Sequence, residues 1–367
     1  MLTTTATELP RLMQCIGSRL MPPVVPDNGT KEQRDEGNAA HWLAEQMFNG
    51  GAGVAGMVAP NGYVITDEMI EHVSQYVGAL DCGEMEAETS WSGDGFEVRG
   101  RADHLVFRDA AYEIEEPIHQ LTVDDFKYGW RLVEARENWT LLSHAIGWCI
   151  RNNAAPERIV LRIHQPRPHH ADGPLREWSC NYEELMGYYH RIVVRLSNAN
   201  DELQTGPACA KCHARFDCRT LDAAIYNAID ATGVAFDDSL PKHVITEEYA
   251  LFERAEQMLK IGREAREELI SHRIRHGEVF EGYSLERRYG QRRWKTGLTG
   301  KALSLASGVD LVKDAVVTPA EAIRRGVPEV VVSKLVDRPL LDPKLKRIDA
   351  DAKARAVFGS DPTGVAK

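Results

Sequence analysis

The stretch HQLTVDDFKYGW, residues 119–130, begins like a buried strand and ends in charged residues. Its apolar and β-branched start is followed by Asp124, Asp125 and Lys127. Charges at the end of a buried strand are costly to desolvate unless something pairs with them. Side chains two residues apart share one face of a strand, so Asp125 and Lys127 point the same way. The stretch therefore predicts a strand that brings a carboxylate and an ammonium group to one site.

The segments around this strand alternate between strand-like and helix-like patterns. That order is typical of an α/β core with a mixed sheet flanked by helices. We predict strands over residues 86–91, 96–107, 119–127, 157–168 and 176–182, and helices over residues 7–20, 38–48, 66–80, 137–152 and 183–204.

Composition and charge narrow the class of protein. The 367 residues are 43% hydrophobic, which suits a globular chain with one large core or two smaller ones. The formal net charge of −11 argues against a polycation that coats nucleic acid. Residues 1–240 hold 20 Lys+Arg against 36 Asp+Glu, whereas residues 241–367 hold 24 against 19. An acidic first part suits a divalent metal site, and a mildly basic second part suits contact with phosphate.

The sequence gives no sign of a membrane protein. The N-terminus lacks a basic stretch followed by an apolar stretch, and no apolar run approaches the roughly 20 residues that span a bilayer. We expect a cytoplasmic protein with no membrane contact.

A second carboxylate, Asp103 in GRADHLVF (residues 100–107), lies on the preceding predicted strand. Carboxylates on neighbouring strands can hold a divalent cation, and Mg²⁺ prefers a few oxygen ligands. The backbone carbonyl of Phe126 is a candidate further ligand. Lys127 would then position water or stabilise charge on a phosphate. A plain salt bridge at a strand end remains the alternative interpretation.

Three of the seven cysteines form a spaced group, CAKCHARFDC, residues 209–218. Cys209, Cys212 and Cys218 would repel one another as thiolates without a cation between them. The spacing therefore indicates a metal ion or a metal cluster. Zinc held by these cysteines and His213 is one possibility, because zinc accepts three cysteines and a histidine.

The pattern of the sequence changes after residues 225–245, where we place a domain boundary. A long charged helix is followed by HGEVFEGYSLERRYGQRRWKTG, residues 276–297, which we interpret as a hairpin rich in basic and aromatic residues. Arginines neutralise phosphates and aromatic rings stack on bases, so it is a candidate DNA-binding surface; a solvated basic hairpin is the alternative. The candidate DNA-binding residues are Arg287, Arg288, Tyr289, Arg292, Arg293, Trp294 and Lys295.

Taken in order, EGNAAHWLAE (residues 36–45), GRADHLVF and VDDFKYG (residues 123–129) resemble the motifs of RecB-like nucleases of the PD-(D/E)XK superfamily. Cys15 before these motifs and the cysteine triplet after them resemble the iron–sulfur clasp of AddB-type and CRISPR-associated exonucleases. The nearest resemblance is to a phage and prophage family of RecB-like proteins of uncharacterised function. It covers residues 5–225 strongly and residues 240–360 more loosely.

The resemblance implies a restriction-endonuclease-like nuclease domain over residues 1–225. A linker over 226–244, a helical and basic accessory region over 245–358 and a disordered tail over 359–367 would follow. It implies that His41, Asp103 and Asp125 bind Mg²⁺ or Mn²⁺ and that Lys127 is catalytic. Cys15, Cys209, Cys212 and Cys218 would hold a [4Fe–4S] cluster, with zinc as the alternative. The supporting residues would be Glu88, Thr140 and His144.

The function that the resemblance implies is a metal-dependent DNA exonuclease acting at DNA ends in phage recombination or genome processing. Its partners would be linear DNA and a phage single-strand annealing or single-strand binding protein. The sequence departs from the family where Thr140 and His144 replace the usual Gln and Tyr. The alternative is accordingly a weakened or non-catalytic iron–sulfur module that binds DNA or serves assembly.

Overall fold

The structure is a computed structural model that describes residues 2–22, 31–109, 119–198, 200, 202–231, 241–289, 293–294, 300–311, 317–337 and 340–347. Within these ranges, no helix is both long and apolar enough to cross a lipid bilayer.

Helices and strands alternate along the first two-thirds of the chain. The helices are α1 (Leu9–Gln14), α2 (Lys31–Phe48), α3 (Asp67–Gly78), α4 (Trp139–Asn152), α5 (Tyr182–Ser197), α6 (Arg219–Ala231), α7 (Lys242–Arg275), α8 (Gly300–Ser307), α9 (Pro319–Arg324) and α10 (Glu329–Leu335). The strands are β1 (Leu2–Thr5), β2 (Glu84–Glu88), β3 (Trp91–Gly93), β4 (Phe96–Arg99), β5 (Arg101–Arg108), β6 (Gln120–Phe126), β7 (Arg158–His164), β8 (Leu175–Cys180), β9 (Tyr283–Tyr289), β10 (Arg293–Trp294), β11 (Val336–Asp337) and β12 (Leu340–Arg347). Short 3-10 helices cover Ala6–Glu8, Ile16–Leu20 and Pro207–Lys211.

A five-stranded mixed sheet forms the centre of the first part of the chain, and the predicted α/β class is confirmed. Its strand order is β2-β5-β6-β7-β8. Only β6 and β7 run parallel within this sheet, and the other neighbouring pairs are antiparallel. Parallel neighbours need a crossover connection, and α4 supplies it between β6 and β7.

Helices cover both faces of this sheet. On one face, α4 and α5 bury Leu141, Ile146 and Ile192 against a cluster that includes Val123 and Leu161. On the other face, α2 and α3 form a second cluster that includes Phe126 from the end of β6. Strand β6 is therefore buried on both sides, and each of its residues after Gln120 is buried.

Polar side chains fix where the helices next to the sheet begin. Thr66 accepts a hydrogen bond from the Met69 backbone N–H at the start of α3. Asn138 caps α4, and Asn181 forms a reciprocal capping box with Glu184 at the start of α5. Such caps satisfy backbone N–H groups that the first helical turn leaves without partners.

The described chain divides into two compact units, residues 1–262 and 263–367. The division falls inside the long helix α7. The second unit has its own small core, formed by α8, α9 and α10 around Leu303, Ala322 and Val332. The predicted linker over 226–244 and the predicted accessory region over 245–358 stay predictions. The predicted tail over 359–367 lies outside the described residues.

The prediction that residues 276–297 form a hairpin is wrong, because the two strands in this segment, β9 and β10, do not pair with each other. Strand β9 pairs with β12, and β10 pairs with β11, both antiparallel. The register places Leu285 opposite Leu345 and Glu286 opposite Lys344. The sequence of β9 alone does not reveal a partner so distant along the chain.

Two glycines on neighbouring helices give a matched test of how α4 packs against the sheet. A Cβ at Gly147 of α4 would overlap the backbone carbonyl of Thr89, whereas a Cβ at Gly187 of α5 would meet nothing within 4 Å. We expect Gly147→Ala to lower the free energy of unfolding by at least about 2 kcal/mol, because backbone must move. Gly187→Ala should raise it by up to about 1 kcal/mol through helix propensity. Urea unfolding of both variants checks this, and equal effects would contradict the packing.

Candidate functional site: an acidic row at the sheet and a four-cysteine pocket

Three carboxylates lie in one row across neighbouring strands β2, β5 and β6. Met85 pairs with His104 and Ala87 pairs with Ala102, so Glu86 falls opposite Asp103. The pairing of His104 with Asp124 places Asp103 opposite Asp125 one step further along the strands. The backbone N–H of Phe126 donates to Asp103 Oδ2 at 2.7 Å, which holds the ends of β5 and β6 together.

Part of this row forms a group compact enough to hold a metal ion. His41, Glu86 and Asp103 each offer one ligand atom within 4.8 Å of the others. His41 comes from α2, and its Nδ1 lies 3.4 Å from Asp103 Oδ1. One imidazole and two carboxylates are chemically suitable ligands for a divalent ion.

Glu86 was not among the predicted site residues. The sequence resemblance points to Glu88 of the same strand, whose side chain is exposed and accepts a hydrogen bond from the Ser90 backbone N–H. In EMEAE, residues 84–88, the alternating acids share one face under period-2 geometry, so the pattern alone does not choose among them. The choice depends on strand register and on a positive φ of 52° at Glu86.

Asp125 and Lys127 form a close pair beside this group. Lys127 Nζ lies 2.7 Å from Asp125 Oδ1. Asp125 Oδ2 is buried and, among the described residues, has no hydrogen-bond partner. Burial raises the pKa of Asp125 against the lowering effect of Lys127, and the Asp103 carboxylate adds to the rise. A buried carboxylate oxygen without a partner is an acceptor that fits a cation.

The pKa values of the neighbouring groups also reflect the negative charge that is concentrated in the acidic row. Burial alone would lower the pKa values of His41 and Lys127, but Asp103 and Asp125 raise both above their ordinary values. Burial alone would raise the pKa of Asp103, but His41 and Lys127 hold it well below its usual range. Burial and the neighbouring Asp103 raise the pKa of Glu86.

Asp124 lies one residue before Asp125, so it points to the opposite face of the sheet. Its two oxygens contact His104 Nδ1 at 2.9 Å and His164 Nε2 at 2.7 Å. All three side chains are buried. The two adjacent aspartates therefore have different surroundings. Both oxygens of Asp124 contact histidine nitrogens, whereas one oxygen of Asp125 has a hydrogen-bond partner among the described residues and the other has none.

The residues predicted to support the site have distinct placements. His144 is buried on α4, its Nδ1 lies 2.7 Å from Thr89 Oγ1, and burial lowers its pKa to about 4. Asp103 and Lys127 both act on this pKa, so His144 lies within electrostatic reach of the acidic row. Thr140 lies in the first turn of α4, where its backbone N–H bonds to the Asn138 cap.

Cys15, Cys209, Cys212 and Cys218 line one pocket, although Cys15 is separated from the others by nearly the whole first unit. The polar groups of Gln14 join the two segments: its Oε1 accepts from the Ala208 N–H, and its Nε2 donates to Cys209 Sγ. The Gln204 N–H donates to Cys15 Sγ at 3.4 Å. The fold thus brings together the four thiols that the sequence picked out.

The spacing of these thiols can be compared with the spacing that one zinc ion requires. Around one tetrahedral zinc ion, bonds of roughly 2.3 Å place sulfurs about 3.8 Å apart. In the part of the chain that the structure describes, no three cysteines form a group within 4.8 Å. His213, the alternative zinc ligand, contacts the Met21 carbonyl through Nε2 at 2.6 Å and is not among the residues that line this pocket.

The candidate DNA-binding residues belong to the second unit. Arg287, Arg288 and Tyr289 lie on β9, and Arg293 and Trp294 form β10. Arg292 and Lys295 lie outside the described residues.

These features define an α/β protein with a mixed sheet. It has a row of carboxylates that could hold a metal ion and a separate pocket lined by four cysteines. In sequence, residues 5–324 match the model of the family described as "Protein of unknown function (DUF2800)", and the chain belongs to that family. No curated protein matches the chain. A solved structure described as "Crystal structure of SSO0001" is 14% identical, with a TM-score of 0.29, over 60% of this chain and 87% of that chain. So slight a likeness carries no argument about fold or function.

The Asp124 contacts predict a large effect of one truncation on stability. Asp124→Ala leaves two buried imidazoles without their partner, so the free energy of unfolding should fall by about 3–5 kcal/mol. Asp172→Ala is the control, because the Asp172 side chain is 79% exposed and should change stability by less than about 0.5 kcal/mol. Urea unfolding measures both. A loss below about 1 kcal/mol for Asp124→Ala would show that the contacts contribute little.

Proposed function

We propose that the protein is a metal-dependent DNA exonuclease of the RecB-like, PD-(D/E)XK type that hydrolyses phosphodiester bonds at DNA ends. The observation that carries the proposal is the buried Oδ2 of Asp125, which has no hydrogen-bond partner among the described residues and lies beside Asp103, His41 and Lys127.

The row of carboxylates supports a divalent ion, Mg²⁺ or Mn²⁺, rather than a salt bridge alone. One ammonium group, Lys127, does not neutralise Glu86, Asp103 and Asp125 together, and Arg101 is 2.8 Å from Glu86 at the outer end of the row. His41, Glu86, Asp103 and Asp125 would hold the ion, and the carbonyl of Phe126 remains a candidate ligand. Bound there, such an ion supplies an activated water and stabilises charge on phosphate.

Each protein group in the site then has a separate task. The Lys127 ammonium, held at 2.7 Å by Asp125, stabilises negative charge that develops on the scissile phosphate. The Phe126 N–H fixes Asp103, and Asp124 with its two imidazoles fixes β6 from the opposite face. The reactive groups are thereby positioned before substrate arrives.

We further propose that the four thiols hold a [4Fe–4S] cluster. Each thiolate of such a cluster binds a different iron, so the sulfurs lie further apart than around one zinc ion. Two observations support a cluster over zinc: among the described residues, no three of these sulfurs lie within 4.8 Å of one another, and His213 is not among the residues that line the pocket.

A second candidate is a non-catalytic iron–sulfur module that binds DNA. It is favoured by His144, whose Nδ1 is engaged with Thr89 and whose lowered pKa keeps the ring neutral. DNA binding without metal-dependent cleavage would support this module.

Linear DNA digestion tests the exonuclease directly. With Mg²⁺ or Mn²⁺, the wild-type protein should degrade end-labelled linear DNA and spare a closed circle. Asp125→Ala and Lys127→Ala should each lower the rate by at least about 100-fold, because each removes a group that holds the ion or stabilises charge. Asp172→Ala, on the exposed surface, should retain full activity. If the Asp125 and Lys127 variants both digest DNA like the wild type, the site is wrongly assigned.

Purification without oxygen tests the cluster. The wild-type protein should contain iron and acid-labile sulfide at about four each per chain. Cys218→Ser should lose both and melt at a lower temperature, because binding free energy of order 10 kcal/mol would be lost from the folded state. Cys82→Ser is the control, since Cys82 is exposed and is not among the residues that line the pocket. Stoichiometric zinc, or an unchanged melt of Cys218→Ser, would rule out the cluster.

A further inference from the structure

The loop that follows the acidic row displays an exposed tryptophan. Trp130 is three residues after Lys127, so its Cα lies within about 11 Å of the Lys127 Cα. Its side chain is 65% exposed, and Leu132 two residues later is 45% exposed. Two large apolar side chains exposed on one short loop contribute little to folding.

The backbone of this loop is held firmly. Buried Gln165 donates from Nε2 to the carbonyls of Gly129 and Arg131 at 2.8 and 2.7 Å. Buried Arg176 donates to the Val133 carbonyl, and Gln165 Oε1 accepts from the Val133 N–H. Two buried polar side chains thus direct their hydrogen bonds at the loop, which fixes Trp130 on the surface.

Cationic side chains lie next to the exposed indole. The Arg167 guanidinium lies 5.4 Å from the Trp130 ring centre and 3.8 Å from that of Tyr128, but its charge is paired with Glu36 at 2.8 Å and Glu68 at 3.3 Å. On the same loop, Arg131 lines an open pocket together with Arg11, Lys211 and His213. Glu8 also lines it and pairs with Arg11 at 2.9 Å. The pocket is therefore net positive, although residues 1–240 as a whole are strongly acidic.

We propose that Trp130 stacks on a base of single-stranded DNA while Arg131 and the pocket beside it bind the adjoining phosphates. The combination of an exposed ring on a fixed loop with cations next to it matches the chemistry of single strands, whose bases offer free faces and whose backbone is anionic. A protein partner would use Trp130 and Leu132 alike, whereas stacking requires the ring. The inference rests on the proposed function in placing DNA at the acidic row.

Binding of a fluorescein-labelled 20-residue oligothymidylate, followed by fluorescence anisotropy in EDTA, tests the inference. Trp130→Ala should weaken binding by about 5- to 150-fold, which is the stacking free energy of one base converted at tenfold per 1.4 kcal/mol. Trp130→Phe should keep most of the affinity. Leu132→Ala is the matched control, because it removes exposed apolar surface from the same loop but no ring. Its affinity for the oligothymidylate should stay within about 2-fold of the wild-type affinity. Arg131→Ala should make the affinity for the oligothymidylate less dependent on salt concentration, by the equivalent of about one phosphate contact.

The outcomes separate this inference from the exonuclease. If Trp130→Ala binds like the wild type, or if Leu132→Ala weakens binding as much, the stacking role is overturned whether or not the protein cuts DNA. If Trp130→Ala alone loses affinity and linear DNA survives in Mg²⁺ and Mn²⁺, the stacking role stands and the exonuclease fails. Thermal melts of Trp130→Ala and Leu132→Ala should coincide with the wild type, since neither side chain is part of a core cluster.

Discussion

The register between β2, β5 and β6 is the constraint on which the rest of the site depends. It places Glu86, Asp103 and Asp125 side by side, although like charges across a ladder destabilise a sheet. Three strands do not accumulate carboxylates in one row without groups that offset the repulsion. His41 and Lys127 supply part of that offset, and the Asp125 oxygen that has no partner among the described residues is where the proposed cation would bind.

The adjacent Asp124 shows how the fold tolerates this charge. Strand alternation sends it to the side of β6 opposite Asp125, where His104 and His164 occupy both of its oxygens. The two adjacent aspartates therefore have different roles. Asp124 stabilises the strand from the side opposite the acidic row, and Asp125 keeps one oxygen that has no partner among the described residues. The Trp130 loop begins immediately after this strand, so the same segment fixes the acidic row and the surface next to it.

The sequence predicted much of this and missed particular parts for physical reasons. Periodicity located α3, α4 and β6 to within a few residues, because buried faces impose clear patterns on long elements. The single strand predicted over residues 96–107 is wrong, because the chain forms two strands there, β4 and β5, which belong to different sheets. His41, Asp103, Asp125 and Lys127 were picked out from motifs, and the fold brings them together. Glu86 was missed, since the choice between Glu86 and Glu88 depends on strand register and a local left-handed conformation. The pairing of β9 with β12 was missed because contacts between distant strands leave no local signal.

Anomalous diffraction from a crystal soaked in Mn²⁺ shows whether the acidic row binds a divalent ion. We expect a manganese peak at about 2.2 Å from a carboxylate oxygen of Asp103, with Asp125 also coordinating the ion. A crystal that shows no peak at the row, or shows Lys127 and Arg101 neutralising the carboxylates in its place, would mean that the row is a salt-bridge network and not a metal site.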